Sequence, residues 1–385
     1  MKILIDCSNL KVGGGIQVAL SFLYDLREMK NPESLVVLMS PQFAQSLDQE
    51  DFGQNFYFFV LDKKYYGNLY RRGKAVKKLE RHIKPDAIFT VFGPSYHKSN
   101  FPKVVGFAMP HYIYEDSPFF DLIPIFKKIG IYFRKKIRIG CFQHNSNYLI
   151  FETEDARNIF CKKYNYKIEN TVVVPNCLNQ VFLYEEKWGK RNFDFQAENI
   201  ILCLSANYKH KNLDILPDVI DHLRNDFNFR NFKFVVSQSR EELDFGDEYD
   251  SFIEYIGKVP LDELPALYQS VDLLFMPTLL EIFSTTYLEA MFMEVPIVTS
   301  DLSFAKDVCA SGALYFDPMK ASDCSESIFK VLTDKELSKK LVKEGQTNLK
   351  RFGNSMGRTK KYLEIIEQAR HSNGLREDKS YKKVN

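Results

Sequence analysis

Residues 2–20 read KILIDCSNLKVGGGIQVAL. The apolar run from Lys2 to Asp6 has the character of a strand, and from Ile16 to Met29 apolar residues recur at helical spacing. Between them stand Gly13, Gly14 and Gly15, where the backbone can turn tightly and approach a ligand. Strand, glycine turn and helix together open a parallel α/β sheet. The alternation continues outward. Strand candidates follow at 34–39, 56–61, 86–91, 103–109, 147–152 and 171–174, with helices expected at 68–84 and 153–163. VVVPNCLNQ (172–180) marks a boundary, and a second series of strands starts at 200–205, then 232–236, 252–256, 271–276, 296–299 and 313–316. Helices are expected there at 212–225, 261–269, 284–293, 321–333, 335–350 and 355–370.

The expected fold class is α/β, with two Rossmann-like, doubly wound parallel-sheet domains facing across a cleft. The division expected is 1–178, 179–352, a C-terminal helix at 353–373 packing back on the first domain, and a frayed tail at 374–385. Ligands in such sheets bind at the carboxyl ends of the strands.

The 385 residues are 45% hydrophobic and 26% charged, an ordinary globular composition. The net charge of +2 conceals an asymmetry: residues 1–178 hold 25 Lys and Arg against 17 Asp and Glu, and the remainder is net acidic. A basic half points to an anionic partner. The seven cysteines are scattered without a C-x-x-C pair, which argues for a reducing compartment and against a disulfide framework or zinc site. Asp6 interrupts the first apolar run too early for a signal peptide, and no apolar stretch approaches the ~18 residues that span a bilayer. A cytoplasmic protein is expected.

Chemistry-bearing residues cluster at strand ends. The glycine turn and helix start at Gly14 and Gly15 suit a phosphate or sugar, although neither the G-x-G-x-x-G fingerprint nor a Walker loop is present. His111 follows the fifth strand and can bind a sugar hydroxyl or carry a proton. In IILCLSANYKHKNLDIL (200–216), Lys211 lies in the first loop of the second series, where a lysine can neutralise phosphate, and Asn212 is placed to cap the next helix. PTLLEIFSTTYLEAMFMEVPIVTSD (277–301) holds Glu281 and Glu289 around a hydroxyl-rich run. A helix starting near Ser284 would offer the amides of Phe283, Ser284, Thr285 and Thr286 to a phosphate. The eight positions between the glutamates span ~12 Å at helical rise, the reach of a nucleotide-sugar from its sugar ring to its ribose.

On these residues the chain resembles retaining glycosyltransferases of family 4, which have the two-domain GT-B fold. That family carries a proline-serine-x-x-E-G-F-G-x-x-x-x-E-A stretch before a strand ending in Ser-Asp, which 277–301 matches in outline. The resemblance extends through YIGKVPLDELPALYQSVDLLFMP, SGALYFDP, VVVPNCLN and VGGGIQVAL. It implies a donor-sugar contact for Glu281, a ribose contact for Glu289 and a diphosphate contact for Lys211. His111 would lie near the transferring sugar, with Gly14 and Gly15 near the donor phosphate or the acceptor. His111 and Glu281 are thus the catalytic candidates. No metal or cofactor is implied, since side chains and helix amides offset the leaving diphosphate. The chain departs from the pattern in two places. Ala206 stands where the family often has a second diphosphate-binding arginine, leaving Lys209 or His210 as candidates to replace it. Ile282 and Ser284 stand where the family has glycine.

Two segments, 63–84 and 124–140, mix lysine and arginine with aromatic and aliphatic residues, as in helices that lie on anionic membranes. The expected enzyme is therefore a hexosyltransferase of polysaccharide biosynthesis, peripheral on the inner face of the plasma membrane. Its expected partners are a nucleotide-sugar donor and a saccharide or polyprenyl-linked acceptor. No nucleic-acid recognition motif is evident. The alternatives are a non-catalytic nucleotide-sugar-binding scaffold and a GT-B epimerase.

Overall fold

The computed structural model describes residues 1–29 and 33–381, with side chains as far as Ser372, and the chain divides into two compact units. The first comprises Met1–Ile113, Ile125–Asn176 and Ser355–Asn385; the second comprises Tyr114–Pro124 and Cys177–Asn354.

The strands of the first unit are β1 (Lys2–Cys7), β2 (Ser34–Met39), β3 (Phe56–Val60), β4 (Ala87–Thr90), β5 (Lys103–Phe107), β6 (Tyr148–Phe151) and β7 (Thr171–Val173). They pair in parallel in the order β3-β2-β1-β4-β5-β6-β7. Its helices are α1 (Gly14–Glu28), α2 (Pro41–Ala44), α3 (Leu69–Ile83), α4 (Pro110–Ile113), α5 (Ile125–His144) and α6 (Glu154–Tyr164). Successive side chains of a strand point to opposite faces. Ile3, Ile5 and Cys7 accordingly enter the core beneath α1, and Leu4 enters the one beneath α3. With both faces covered, β1 reads as a continuous apolar run rather than an alternating one.

In the second unit, β8 (Asn199–Cys203), β9 (Phe232–Val236), β10 (Ile253–Tyr255), β11 (Leu273–Met276), β12 (Ile297–Ser300) and β13 (Ala313–Phe316) pair in parallel in the order β10-β9-β8-β11-β12-β13. Around them lie α7 (Leu216–Asn225), α8 (Leu264–Gln269), α9 (Thr285–Phe292), α10 (Ser303–Cys309), α11 (Ala321–Thr333) and α12 (Lys335–Leu349). Each sheet changes direction once, between β1 and β4 and between β8 and β11.

Three features differ from the expectation. The short α10 lies outside the expected helices, whereas α5 covers the basic amphipathic segment read at 124–140 and extends it to His144. Residues 114–124, which the expected division leaves in the first domain, pack into the second unit: the Ser117 hydroxyl donates to the Leu279 carbonyl (2.6 Å), and the Tyr114 ring lies 5.9 Å from that of Phe304. Of the expected tail at 374–385, the backbone continues the last helix as far as Tyr381, and 382–385 fall outside the described residues.

That last helix, α13 (Ser355–Tyr381), belongs to the first unit. Tyr362, Ile365, Ile366 and Ala369 are buried in the core beside α1, and the Tyr362 ring meets Phe22 edge-on at 5.6 Å. The attachment is also polar. Asp25, buried on α1, accepts hydrogen bonds from Ser355 (3.0 Å) and Thr359 (2.8 Å) on the first turns of α13. Asp25→Ala would remove the carboxylate that accepts from both buried hydroxyls, at an expected cost of about 3 kcal/mol. Urea denaturation measures that loss, and hydrogen exchange should show faster opening of 355–369 than of β1.

Candidate active site

The second unit's site is assembled where its strand order reverses. Helices that follow β8 and β11 leave toward opposite faces of the sheet, so the two strand-end loops diverge and open a crevice. Two contacts tie these loops together, and a third anchors the loop after β11 from segment 114–124. The Leu279 amide donates to the His210 carbonyl (2.8 Å). The Lys211 ammonium donates to Glu281 Oε2 (2.6 Å). Ser117 holds the Leu279 carbonyl from the other side. Both members of the Lys211–Glu281 pair are largely buried, with side chains 12% and 24% exposed. The pair uses one of the three donors that a lysine carries.

The loop from Ser205 to Asn212 is shaped by its own backbone. The Lys211 amide donates to the Tyr208 carbonyl (2.8 Å), and Asn212 adopts the left-handed region (φ 57°). Asn212 stands at the N-cap position of the 3-10 turn Leu213–Ile215 that leads into α7 but makes no side-chain capping bond: its Nδ2 donates instead to the Pro318 carbonyl (2.9 Å). The two candidates to replace the arginine missing at Ala206 differ in environment and charge. Lys209 is paired with Asp214 at the surface. The His210 ring stacks on Tyr208 at 5.5 Å, and burial, assisted by the Lys211 charge, pushes its pKa down to about 4, so it is neutral at physiological pH.

Across the crevice, Ser284 occupies the N-cap position of α9 without a side-chain capping bond. The amides of the first turn, beginning at Thr285, have no partner within the helix. Ile282 and Ser284 are buried and have negative φ, so the loop has no need of glycine at these positions. The Phe283 ring turns inward against Phe352 (5.5 Å). Thr286 lends its carbonyl to the Tyr268 hydroxyl (3.3 Å). Glu289 lies in the second turn of α9 and is 5% exposed, accepting a bond from Tyr268 (3.1 Å).

Gly14, Gly15 and His111 belong to the first unit. Gly14 and Gly15 are the first residues of α1, and only Gly13 before them needs a positive φ, at 73°. His111 lies on α4, half-buried, its ring edge-on to Tyr112 at 4.6 Å.

Two polar residues escaped notice in the sequence. Ser205 Oγ and Gln238 Oε1, just beyond β8 and β9, are buried without a hydrogen-bond partner among the described residues. The signal was the polar SQS that follows FKFVV in 232–239, directly after a strand. Among the described residues there is no group of three or more His, Cys, Asp or Glu arranged to hold a metal ion.

Residues 185–348 match the family model Glycosyl transferases group 1. The chain is similar to the O-antigen chain mannosyltransferase RfbU of Salmonella typhimurium, 22% identical over 212 residues, 54% of this chain and 56% of the relative. It is 30% identical over 103 residues to O-antigen chain mannosyltransferase B of Escherichia coli, 27% of each chain. Its matches thus span about half or less of these relatives. Among solved structures it resembles Anabaena Alr3699/HepE in complex with UDP and glucose (TM-score 0.69, 15% identity, 96% of this chain and 100% of that one). It also resembles WaaG, a glycosyltransferase involved in lipopolysaccharide biosynthesis (TM-score 0.68, 14% identity, 95% and 99%). These likenesses establish the fold as GT-B, with two parallel-sheet α/β domains.

Burial raises the Glu289 carboxyl from 4.5 to about 7, against the opposing bonds from Tyr268 and Thr285. The folded protein thus holds this proton more tightly than the unfolded chain does. The resulting stability is fully present below pH 4.5 and is lost as pH rises through 7. Wild type should lose up to about 3 kcal/mol over that interval that Glu289→Gln does not lose. Urea unfolding of both proteins across the interval measures the difference, and parallel profiles would contradict it.

Proposed function

We propose that the protein is a retaining, metal-independent glycosyltransferase that moves a hexose-type sugar from a nucleotide diphosphate sugar to a saccharide acceptor in polysaccharide biosynthesis. The Lys211–Glu281 pair at the reversal of the second sheet carries this reading. The remaining donors of Lys211 and the first-turn amides of α9 would bind the diphosphate, and Glu281 would accept the sugar hydroxyls. Glu289 would accept the ribose diol, whose hydroxyls favour its charged form. Ser205 and Gln238 offer polar atoms to the edge of the base. In front-face transfer, the bond from the anomeric carbon to the diphosphate breaks as the acceptor hydroxyl attacks from the same side, and its proton passes to the departing phosphate oxygen. The protein contributes positioning and charge stabilisation. Gly14, Gly15 and His111 take the roles that the family resemblance implies. The O-antigen relatives make a mannose donor the first to try.

A second reading, a non-catalytic nucleotide-sugar-binding scaffold, draws on Ala206, Ile282 and Ser284 standing where the family pattern has arginine and glycine. Product analysis separates the two. Glu281→Gln should lower transfer at least ~100-fold while the chain stays folded at the assay temperature, although unpairing Lys211 lowers the thermal midpoint. Full activity in that variant would overturn the enzyme reading, nucleotide binding without turnover would favour the scaffold, and an epimerised sugar would favour an epimerase.

We infer further that the enzyme acts at the inner face of the plasma membrane on a polyprenyl-linked acceptor. No described helix is long and apolar enough to cross a bilayer, so the contact would be a surface one. Helix α5 supports it: Ile125, Phe126, Ile129, Tyr132, Phe133 and Ile137 are all exposed. At 100° per residue they fall within an arc of about 140°. The helix carries six Lys and Arg and no acid. An apolar face turned outward between cations fits an anionic interface. The protein should float with phosphatidylglycerol-rich vesicles, less so at high salt, and Phe126→Ser with Phe133→Ser should lose most of that binding. Absence of flotation at low salt would contradict the inference.

A further inference from the structure

The two basic segments of the first unit differ in structure. Unlike α5, helix α3 turns its apolar residues Val76, Leu79 and Ile83 inward, and only Leu69 and Tyr70 among its large apolar side chains are exposed. Its outer face borders an open groove of about 730 Å³. Arg71, Lys74, Lys77, Lys78 and Arg81 line that groove, together with Tyr65, Tyr70 and Tyr96. The volume is in the range of small-molecule sites. From Arg71 to Arg81 the cations extend over about 15 Å of helix. The groove has no acidic lining residue, because the only acid of α3, Glu80, is turned inward. There it pairs with His97, accepts from Ser99 (2.8 Å) and lies 3.5 Å from the buried Lys103 ammonium.

These buried contacts fix the wall of the groove. The floor is equally constrained. At Gly73 a Cβ would come within 2.6 Å of the Tyr96 carbonyl, so only glycine lets α3 approach this strand-end loop so closely. Arg72, buried beside it, lies between the Tyr66 and Tyr96 rings (5.2 and 5.7 Å) and donates to Ser8 (3.0 Å) and Asn9 (2.6 Å). Asn9 in turn donates to the Phe92 carbonyl (2.8 Å), bridging the loops after β1 and β4. One end of the groove thus adjoins the loop after β4 at Tyr96 and His97, and from there it follows α3 as far as Arg81.

We propose that this groove binds a diphosphate-bearing ligand, with the cations of α3 on the phosphates and the tyrosine rings against the attached group. Five cations along one helix exceed what a single carboxylate requires, and arginine suits phosphate oxygens in pairs. That the ligand is the acceptor of sugar transfer rests on the proposed function; that it binds here does not.

Calorimetry on the full chain with inorganic diphosphate tests the proposal. Because the Lys211 site also suits a diphosphate, the titration is repeated in Lys211→Ala. Binding that survives Lys211→Ala, weakens about tenfold or more in the Lys74→Ala, Lys77→Ala, Lys78→Ala triple variant and withstands Lys127→Ala, Lys128→Ala, Lys136→Ala on α5 supports the groove. In a second arm, vesicles carrying farnesyl diphosphate replace the free anion. Tighter capture there assigns a lipid-borne source, and equal affinity assigns a soluble one. The proposal is overturned if no diphosphate binds, if Lys211→Ala alone abolishes binding, if the α5 variant weakens it as much as the α3 variant, or if single-stranded RNA binds the groove more tightly. Loss of transfer in Glu281→Gln with groove binding intact would separate this proposal from the catalytic one.

Discussion

Everything proposed for the second unit depends on holding together two loops that its topology drives apart. The strand order reverses between β8 and β11, so the helices that follow these strands leave toward opposite faces. Helix packing alone leaves the crevice between them without a fixed width. A backbone bond from Leu279 to His210 and the buried Lys211–Glu281 pair set that width. A lysine and a carboxylate removed from water are stable there only as partners. Their pairing leaves two ammonium donors of Lys211 for a ligand, and in the proposed site these act on phosphate together with the first amides of α9.

The first unit meets the same topological problem with different residues. Its reversal between β1 and β4 is bridged by Asn9 and by Arg72, held between two tyrosines. Here a guanidinium and aromatic faces occupy the place that an ion pair holds in the second unit. The surplus of basic residues in the first half of the chain, visible in composition alone, resolves into two distinct surfaces. One, on α5, is apolar and basic; the other, on α3, is basic and aromatic over a groove.

The layers were legible because strands covered on both faces must be continuously apolar, and runs such as KILIDC and SLVVLM cannot be read otherwise. The reversal loops were legible for the same reason, since Lys211 and Glu281 directly follow such runs. What stayed hidden depends on contacts distant in sequence. Helical periodicity shows that α5 has an apolar face, but not that this face points outward. Ser117 joins the second unit through a carbonyl 162 residues away. Asn212 has the residue type of a helix cap, yet its conformation is set by Pro318. Glu289 matches a surface glutamate in a binding motif, and its burial goes with a bond from the Tyr268 hydroxyl, 21 residues earlier.

The central claim is that the β8–β11 crevice binds a nucleotide diphosphate sugar. Hydrogen–deuterium exchange of the full chain, with and without saturating UDP-, GDP- and ADP-sugars, tests it most directly. The account predicts that one donor slows exchange in 205–212 and 277–289, with weaker effects elsewhere in the second unit. Protection confined to other strand-end loops, or no protection with any donor, would contradict it.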